Sequence, residues 1–307
     1  TEPYSATISN VNGAGADDNT ANDTKNWMVT TITPAFGKVV AVEEGTGTWC
    51  TWCPRGAVFM DEFSKKYAGA IAPIAVHNGD PMVVPAYDTG MGFTSFPNAK
   101  VDRGAGKDPS AIESDIMTRL SVAPKAVLTP GAEWNATTRE LKVSITSDII
   151  ANITNGYKIS LVIAEDGVTG TTSGYAQINS YAGGSNGVMG GYESLPNPVP
   201  ASMMVYDHVA RTILPSFAGD ANSYPSGANA GESHVLSFTL TLPAEWNENK
   251  IHIIGLLKAP NNRIENAGTA TLSEAIANGF NDGTPASVES NIMEQVDAAV
   301  KIYPNPA

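Results

Sequence analysis

Val39-Val40-Ala41-Val42-Glu43-Glu44-Gly45-Thr46-Gly47-Thr48-Trp49-Cys50-Thr51-Trp52-Cys53-Pro54-Arg55-Gly56 is the stretch on which the fold of this 307-residue chain turns. Val39 to Val42 is a short apolar run of the kind that fills a buried parallel strand. Gly45-Thr46-Gly47-Thr48 reads as a turn. A helix over residues 54–67 is expected next, with Phe59, Phe63 and Tyr67 at four-residue spacing on one face and Gly69 as its stop signal. Cys50 and Cys53, the two cysteines of the chain, sit where strand hands over to helix. A bridge between such near neighbours closes almost no loop and adds little stability, so the pair reads as chemical rather than as a staple.

The chemistry follows from the location. A helix N-terminus offers unpaired backbone N–H groups and the positive end of the helix dipole, both of which favour thiolate over thiol. Cys50 comes first and is the expected nucleophile, with its sulfur exposed at the helix tip. Cys53, one turn later, is placed to resolve a mixed disulfide. Arg55 adds positive field, and Trp49 and Trp52 are expected to form an apolar rim for an extended substrate. Pro54 disfavours helical geometry at Cys53, so a late helix start is expected. A zinc site is not expected, since there is no second cysteine pair and His77, His208, His234 and His252 show no ligand spacing. An inert, permanently oxidised bridge remains an open alternative.

Outward from the motif, Ile71 to Val76 reads as a second apolar strand. Asp108 is expected to cap a helix with Pro109 in its first turn and Ile112, Ile116 and Leu120 as its buried stripe. Strand, helix and strand with short connections imply a parallel α/β layer over residues 38–124. Beyond it the period changes to two: Leu141, Val143 and Ile145, then Ile159, Leu161 and Ile163, then Phe238, Leu240 and Leu242, with Ile251 and Ile253 opening another run. This predicts an antiparallel β-sandwich over 125–272, interrupted by long loops at 167–202 and 215–232. Gly183-Gly184-Ser185-Asn186-Gly187 lacks the Lys-Ser/Thr ending and the helix of a phosphate loop. His208 and Arg211 are expected to pair structurally on a strand. Residues 1–37 read as strands at 4–8 and 27–32, either the end of a preceding β-sandwich or strands docked on a later domain. Asp17, Asp18, Asn19, Asn22 and Asp23 cluster oxygen ligands without the glycine and distal Glu of an EF-hand.

Apolar residues make up 42% of the chain, enough for a real core, and charged residues only 16%, a mix typical of exported β-rich proteins. The net charge of −13 and scattered basic residues argue against nucleic-acid binding. No stretch approaches the roughly 20 apolar residues needed to span a bilayer. Thr1-Glu2-Pro3-Tyr4 begins in mature-looking sequence, without a signal peptide.

Strand, Trp-Cys-x-x-Cys, helix, strand, and later Phe96-Pro97 ahead of Lys100-Val101-Asp102 is similar to the thioredoxin superfamily over residues 38–124. That resemblance implies a cis-proline at Pro97 facing the cysteine pair and, with Phe96 and the tryptophans, holding extended substrate. It also implies a buried acid at Glu44, six residues before the nucleophile, relaying a proton to Cys53. A solvated strand end is the other reading of Glu44. His77 ends the second strand at the sheet edge expected to hold Cys50. It either tunes the thiolate and borders the substrate or belongs to the turn His77-Asn78-Gly79-Asp80. One departure stands out: a single strand fits between Pro97 and Asp108, where thioredoxins place a hairpin.

More narrowly, residues 43–56 resemble the signature of the Bacteroidetes Omp28-related outer-membrane proteins, in which a thioredoxin-like unit precedes a β-sandwich. The tail Lys301-Ile302-Tyr303-Pro304-Asn305-Pro306-Ala307 resembles the opening of a type IX secretion C-terminal sorting domain, so the chain reads as a piece of a longer protein.

The expected fold class is therefore α/β plus all-β. Residues 1–37 supply N-terminal strands, 38–124 a thioredoxin-like domain, 125–272 a β-sandwich, and 273–307 a linker and the start of the sorting domain. The expected function is extracytoplasmic thiol–disulfide exchange with protein or peptide thiols and disulfides, without cofactor, metal or membrane span, at the cell surface, on the outer membrane or secreted. The alternative is a non-catalytic surface binding or structural protein whose sandwich loops contact glycan or protein.

Overall fold

The computed structural model describes residues 2–10, 13, 19–29 and 32–283. The tail at 301–307 and Asp17 and Asp18 of the acidic cluster lie outside the described residues. Near the N-terminus β1 (Glu2–Thr7) and β2 (Thr24–Val29) pair antiparallel with each other.

The alternation of the decisive strand explains its surroundings. β3 (Val40–Thr46) is buried along its whole length. Side chains of a strand point alternately to opposite faces. Val40 and Val42 enter one core with Met60, Phe63, Ile112, Ile116 and Leu120, contributed by α1 (Cys53–Lys66) and α3 (Glu113–Leu120) with the residue preceding it. Ala41 enters the core on the other face with Tyr87 and Met91 of α2 (Pro85–Met91). Glu43 and Glu44 continue the alternation as buried carboxyls on opposite faces. β4 (Ile71–His77) runs parallel to β3.

Three details of the α/β region differ from expectation. α1 begins at Cys53 itself, because Pro54 falls in the first turn, where its missing N–H has no intrahelical partner to lose. The side chain of Asp108 caps a short 3₁₀ turn, Pro109–Ala111, ahead of α3. The hairpin thought to be missing after Pro97 is present in short form, as β5 (Asn98–Val101) and the two-residue β6 (Gly106–Lys107).

The later strands are β7 (Ala126–Asn135), β8 (Glu140–Ile149), β9 (Lys158–Glu165), β10 (Val209–Leu214), β11 (Ser233–Thr241), β12 (Ile251–Lys258) and β13 (Ile264–Thr271), followed by α4 (Leu272–Asn278). One eight-stranded sheet has the order β13-β12-β9-β10-β4-β3-β5-β6, so strands from both sides of residue 124 share it. β10 joins the two parts, parallel to β4 and antiparallel to β9. The chain is thus mixed α/β with the antiparallel strands built into the α/β sheet rather than set apart. Sandwich-like packing does occur: the sheet β11-β8-β7 lays Leu141, Val143 and Ile145 against Ile159, Leu161, Ile163 and Ile253.

A buried charge cluster pins the two parts. The Asp102 carboxylate accepts from Lys38 Nζ (2.9 Å), Arg119 Nε (2.7 Å) and the Ala41 N–H (2.9 Å). Lys38 in turn donates to the carbonyl of Glu265 in β13 at 2.7 Å. Burial lowers the Lys38 pKa, against the pull of Asp102. Removing one partner of a buried pair leaves an uncompensated charge. Asp102→Ala is therefore expected to cost about 3–5 kcal/mol of unfolding free energy, read from urea denaturation.

Candidate functional site

Cys50 and Cys53 form a disulfide with Cα atoms 5.4 Å apart. Trp52 is the N-cap of α1, so Cys53 opens the helix and Cys50 lies in the preceding turn, its N–H on the Gly47 carbonyl (3.0 Å). Asp80 shapes that turn. Its Oδ2 accepts the Thr48 N–H at 3.0 Å and meets His77 Nδ1 at 2.7 Å, and its Oδ1 accepts the Met82 N–H. His77 is therefore a buried strut behind the motif, stacked edge-on against Tyr206.

The Phe96-Pro97 peptide is cis. Phe96 packs edge-on against Trp49, whose indole N–H donates to the Asn78 carbonyl at 2.6 Å. Trp49 and Trp52, each directly preceding one of the cysteines, are exposed.

Beneath the helix lies Glu44. A Cβ placed on Gly56 would stand 1.7 Å from Glu44 Oε1 and 3.2 Å from Pro97 Cβ, so only glycine lets the first turn of α1 approach this closely. Gly56 is three residues beyond Cys53, one turn along the same helix. The carboxyl is buried and its Oε1 has no hydrogen-bond partner. Burial pushes the Glu44 pKa up to about 8, against a hydrogen bond with Thr46 that lowers it. It is a protonated acid at neutral pH and not a solvated strand end.

The sulfurs are not open to solvent, contrary to expectation: Cys50 is 3% exposed and Cys53 2%. The cause is the long connection from β9 to β10, which straps the motif. Ile178 N–H donates to the Thr48 carbonyl (2.8 Å) and Ser180 N–H to that of Thr51 (2.9 Å). Between them Gln177 Nε2 donates to the Cys50 carbonyl at 2.9 Å. Tyr181 packs edge-on against Trp52 and accepts from Arg55. The strap is itself built. Asn179 is buried and ties to the Tyr192 carbonyl, and Val168, Val199, Met204 and Tyr206 form a core with Met82. Length alone marked this segment in the sequence; the contacts of Gln177, Asn179 and Tyr181 carry no local signature.

His208 and Arg211 pair structurally, His208 with Asp166 (3.1 Å) and Arg211 with Glu165 (3.2 Å). Burial alone would raise the Asp166 pKa, but hydrogen bonds from His208 and His252 hold it well below the usual carboxylate range.

The Glu44 carboxyl binds its proton more tightly folded, at about 8, than unfolded, at about 4.5. Its contribution to stability is complete below the unfolded value and is lost as pH rises through that window. Urea unfolding of the wild type is expected to show stability falling between pH 5 and 8, by up to about 1.4 kcal/mol per pH unit, and Glu44→Gln is expected to remove that slope.

Among curated proteins, none matches the sequence. A crystal structure of a protein from Agrobacterium tumefaciens is similar at 14% identity and a TM-score of 0.45, covering 83% of this chain and 99% of that one. The family model described as outer membrane protein Omp28 matches residues 85–275. The match begins at α2, after the cysteine pair, and spans well over half of the chain. Membership carries a location on the outer membrane or cell surface, and among the described residues no helix is long and apolar enough to cross a membrane. By that match, the chain belongs to the outer membrane protein Omp28 family.

Proposed function

We propose that this outer-membrane family member is a thiol–disulfide exchange protein with a thioredoxin-like frame over residues 38–124, whose redox pair works beneath a strap. The observation that carries the reading is the buried Glu44 carboxyl, unpartnered at Oε1 and lying against Gly56, one turn beyond Cys53 in the helix that begins there.

In the oxidised protein the chemistry runs as electron acceptance. An incoming thiolate attacks Cys50 Sγ, forming a mixed disulfide and breaking the Cys50–Cys53 bond. Cys53 leaves as a thiolate and takes the proton of the neutral Glu44. A second substrate thiolate then releases Cys50, so the dithiol gains two electrons as the substrate is oxidised. In reverse, the Cys50 thiolate attacks a substrate disulfide and Cys53, deprotonated by ionised Glu44, resolves it. Phe96, Pro97 and the exposed Trp49 and Trp52 form the platform for a peptide. Export by a type IX route, as in Bacteroidetes, is supported by the tail's resemblance to a sorting domain.

Burial of both sulfurs favours a second reading, in which the bridge is inert and the protein is a non-catalytic surface scaffold. The reduction potential separates the two. An exchangeable pair is expected to lie above about −300 mV, with a Cys50 thiolate titrating below about 8.5 in the reduced protein. Glu44→Gln is expected to slow opening by a small thiol at least about 100-fold. A potential far below that mark, with an ordinary thiol pKa, selects the scaffold. Loosening the strap provides an independent measurement. Gln177→Ala removes the hydrogen bond to the Cys50 carbonyl and is expected to speed reduction by a small thiol about tenfold, at an unchanged potential.

A further inference from the structure

On the face of the eight-stranded sheet away from α1, two lysines stand side by side. Lys158 opens β9 and Lys258 closes β12, and the antiparallel register sets them directly opposite each other. Opposed residues of such a pair point to the same face with Cβ atoms roughly 5 Å apart, and like charges placed so are destabilising. Their face is the one on which Val162 and Leu256 pack with Ala41 and Tyr87, since side chains two and four residues along a strand share a face. Acids outnumber bases 31 to 18 in the chain, yet among the described residues neither lysine side chain makes a hydrogen bond or an ion pair.

Lys258 is the sharper anomaly. It is only 6% exposed, so its stem is covered, while its unpaired ammonium still reaches solvent. Burial lowers its pKa, and the charged groups that act on it, Arg103 and then Lys158, are both cations and lower it further. Arg103 is itself engaged. Its Nε and Nη2 hold the Glu43 carboxylate at 2.9 to 3.1 Å, and its guanidinium lies 3.9 Å over the Phe217 ring. Glu43 thus balances Arg103, and the charges of the two lysines are left over. The turn after β10 lays main chain against the root of Lys158: a Cβ on Gly219, whose φ is +83°, would stand 2.8 Å from Lys158 Cβ.

We propose that Lys158 and Lys258 form a binding site for a doubly charged phosphate group, bridged between their two ammonium nitrogens. Charge selects this guest, because two uncompensated cations are balanced by one dianion, whereas a carboxylate leaves one over. Geometry selects it too. Ammonium groups on flexible stems rooted roughly 5 Å apart can each reach a different oxygen of one phosphate through a charge-assisted hydrogen bond. With the Lys258 stem buried, the phosphate has to arrive as a single protruding group, free or at the end of a headgroup. The net charge of −13 opposes the approach of a broad anionic surface. The site lies across the sheet from α1 and does not involve the sulfurs.

The test is calorimetric titration of the full chain with inorganic phosphate at about pH 7.5 and physiological ionic strength. Saturable one-to-one binding is expected, with acetate at least about tenfold weaker. Lys158→Met and Lys258→Met are each expected to weaken phosphate at least about tenfold. Both variants keep an apolar stem and remove a like-charge contact, so each should unfold at a higher urea midpoint than the wild type when phosphate is absent. Phosphate should raise the midpoint of the wild type but not that of the double variant. Lys250→Met, at the other end of β12, is expected to bind phosphate as the wild type does. Co-sedimentation with phosphatidylcholine vesicles bearing phosphatidic acid, lost in the double variant, identifies a lipid headgroup as the source. Phosphate binding without vesicle binding identifies a soluble phosphate compound. No saturable heat with inorganic phosphate, equally tight acetate, or undiminished binding in the Lys158→Met/Lys258→Met double variant overturns the proposal.

Discussion

The close approach of the first turn of α1 to β3 is the constraint on which the site depends. Glycine at position 56 brings helix backbone down onto the Glu44 carboxyl and the Pro97 ring. That contact excludes water from Glu44 Oε1 and keeps the acid protonated. It also sets the height of the helix over the sheet, and with it the position of the cysteine bridge at the helix start. A larger residue at 56 would have to lift the helix or displace the acid. Sulfur geometry and carboxyl protonation are therefore two results of one packing decision.

The strap alters what that geometry can do. Its amides pair with the carbonyls of Thr48 and Thr51, so main-chain acceptors around the bridge are already satisfied. Any peptide that seeks those acceptors competes with an intramolecular partner that carries its own core. The tryptophans, by contrast, are left exposed. The molecule thus combines a covered disulfide with an uncovered aromatic margin, and the strap stands between the bridge and solvent. The strap also walls a cavity behind Glu44, so the same segment bounds both sides of the site.

Much of this was legible in the residues. The apolar run at Val40 to Val42, the stripe Phe59 and Phe63 with Tyr67 at the helix C-cap, and the period-two runs at Leu141 and Ile159 are local patterns, and each marks a strand or helix of the matching type. The cis bond ahead of Pro97 was an expectation drawn from resemblance rather than periodicity. What stayed hidden depends on distant partners. Alternation in β9 shows that it is a strand, but nothing local shows that β10 lies beside β4. Asp102 is an unremarkable turn residue until Lys38 and Arg119 converge on it. The exposure of Cys50 was misjudged for the same reason, because its cover comes from residues 177–181, far along the chain.

The placement of β10 also bears on how the molecule is assembled. β3 and β4 are near neighbours in sequence and can associate early, but the strand that flanks β4 on its other side arrives only after the whole strap has been made. Distant pairings of this kind are slow to form and leave unpaired edges in the meantime. The cysteine pair, with only two residues between its members, can join long before then. During that interval it is reachable by an oxidant, and the docking of residues 177–181 later withdraws it. Maturation outside the cytosol would thus leave the bridge already made and shut away, with its oxidation state recorded at the moment the last strands closed.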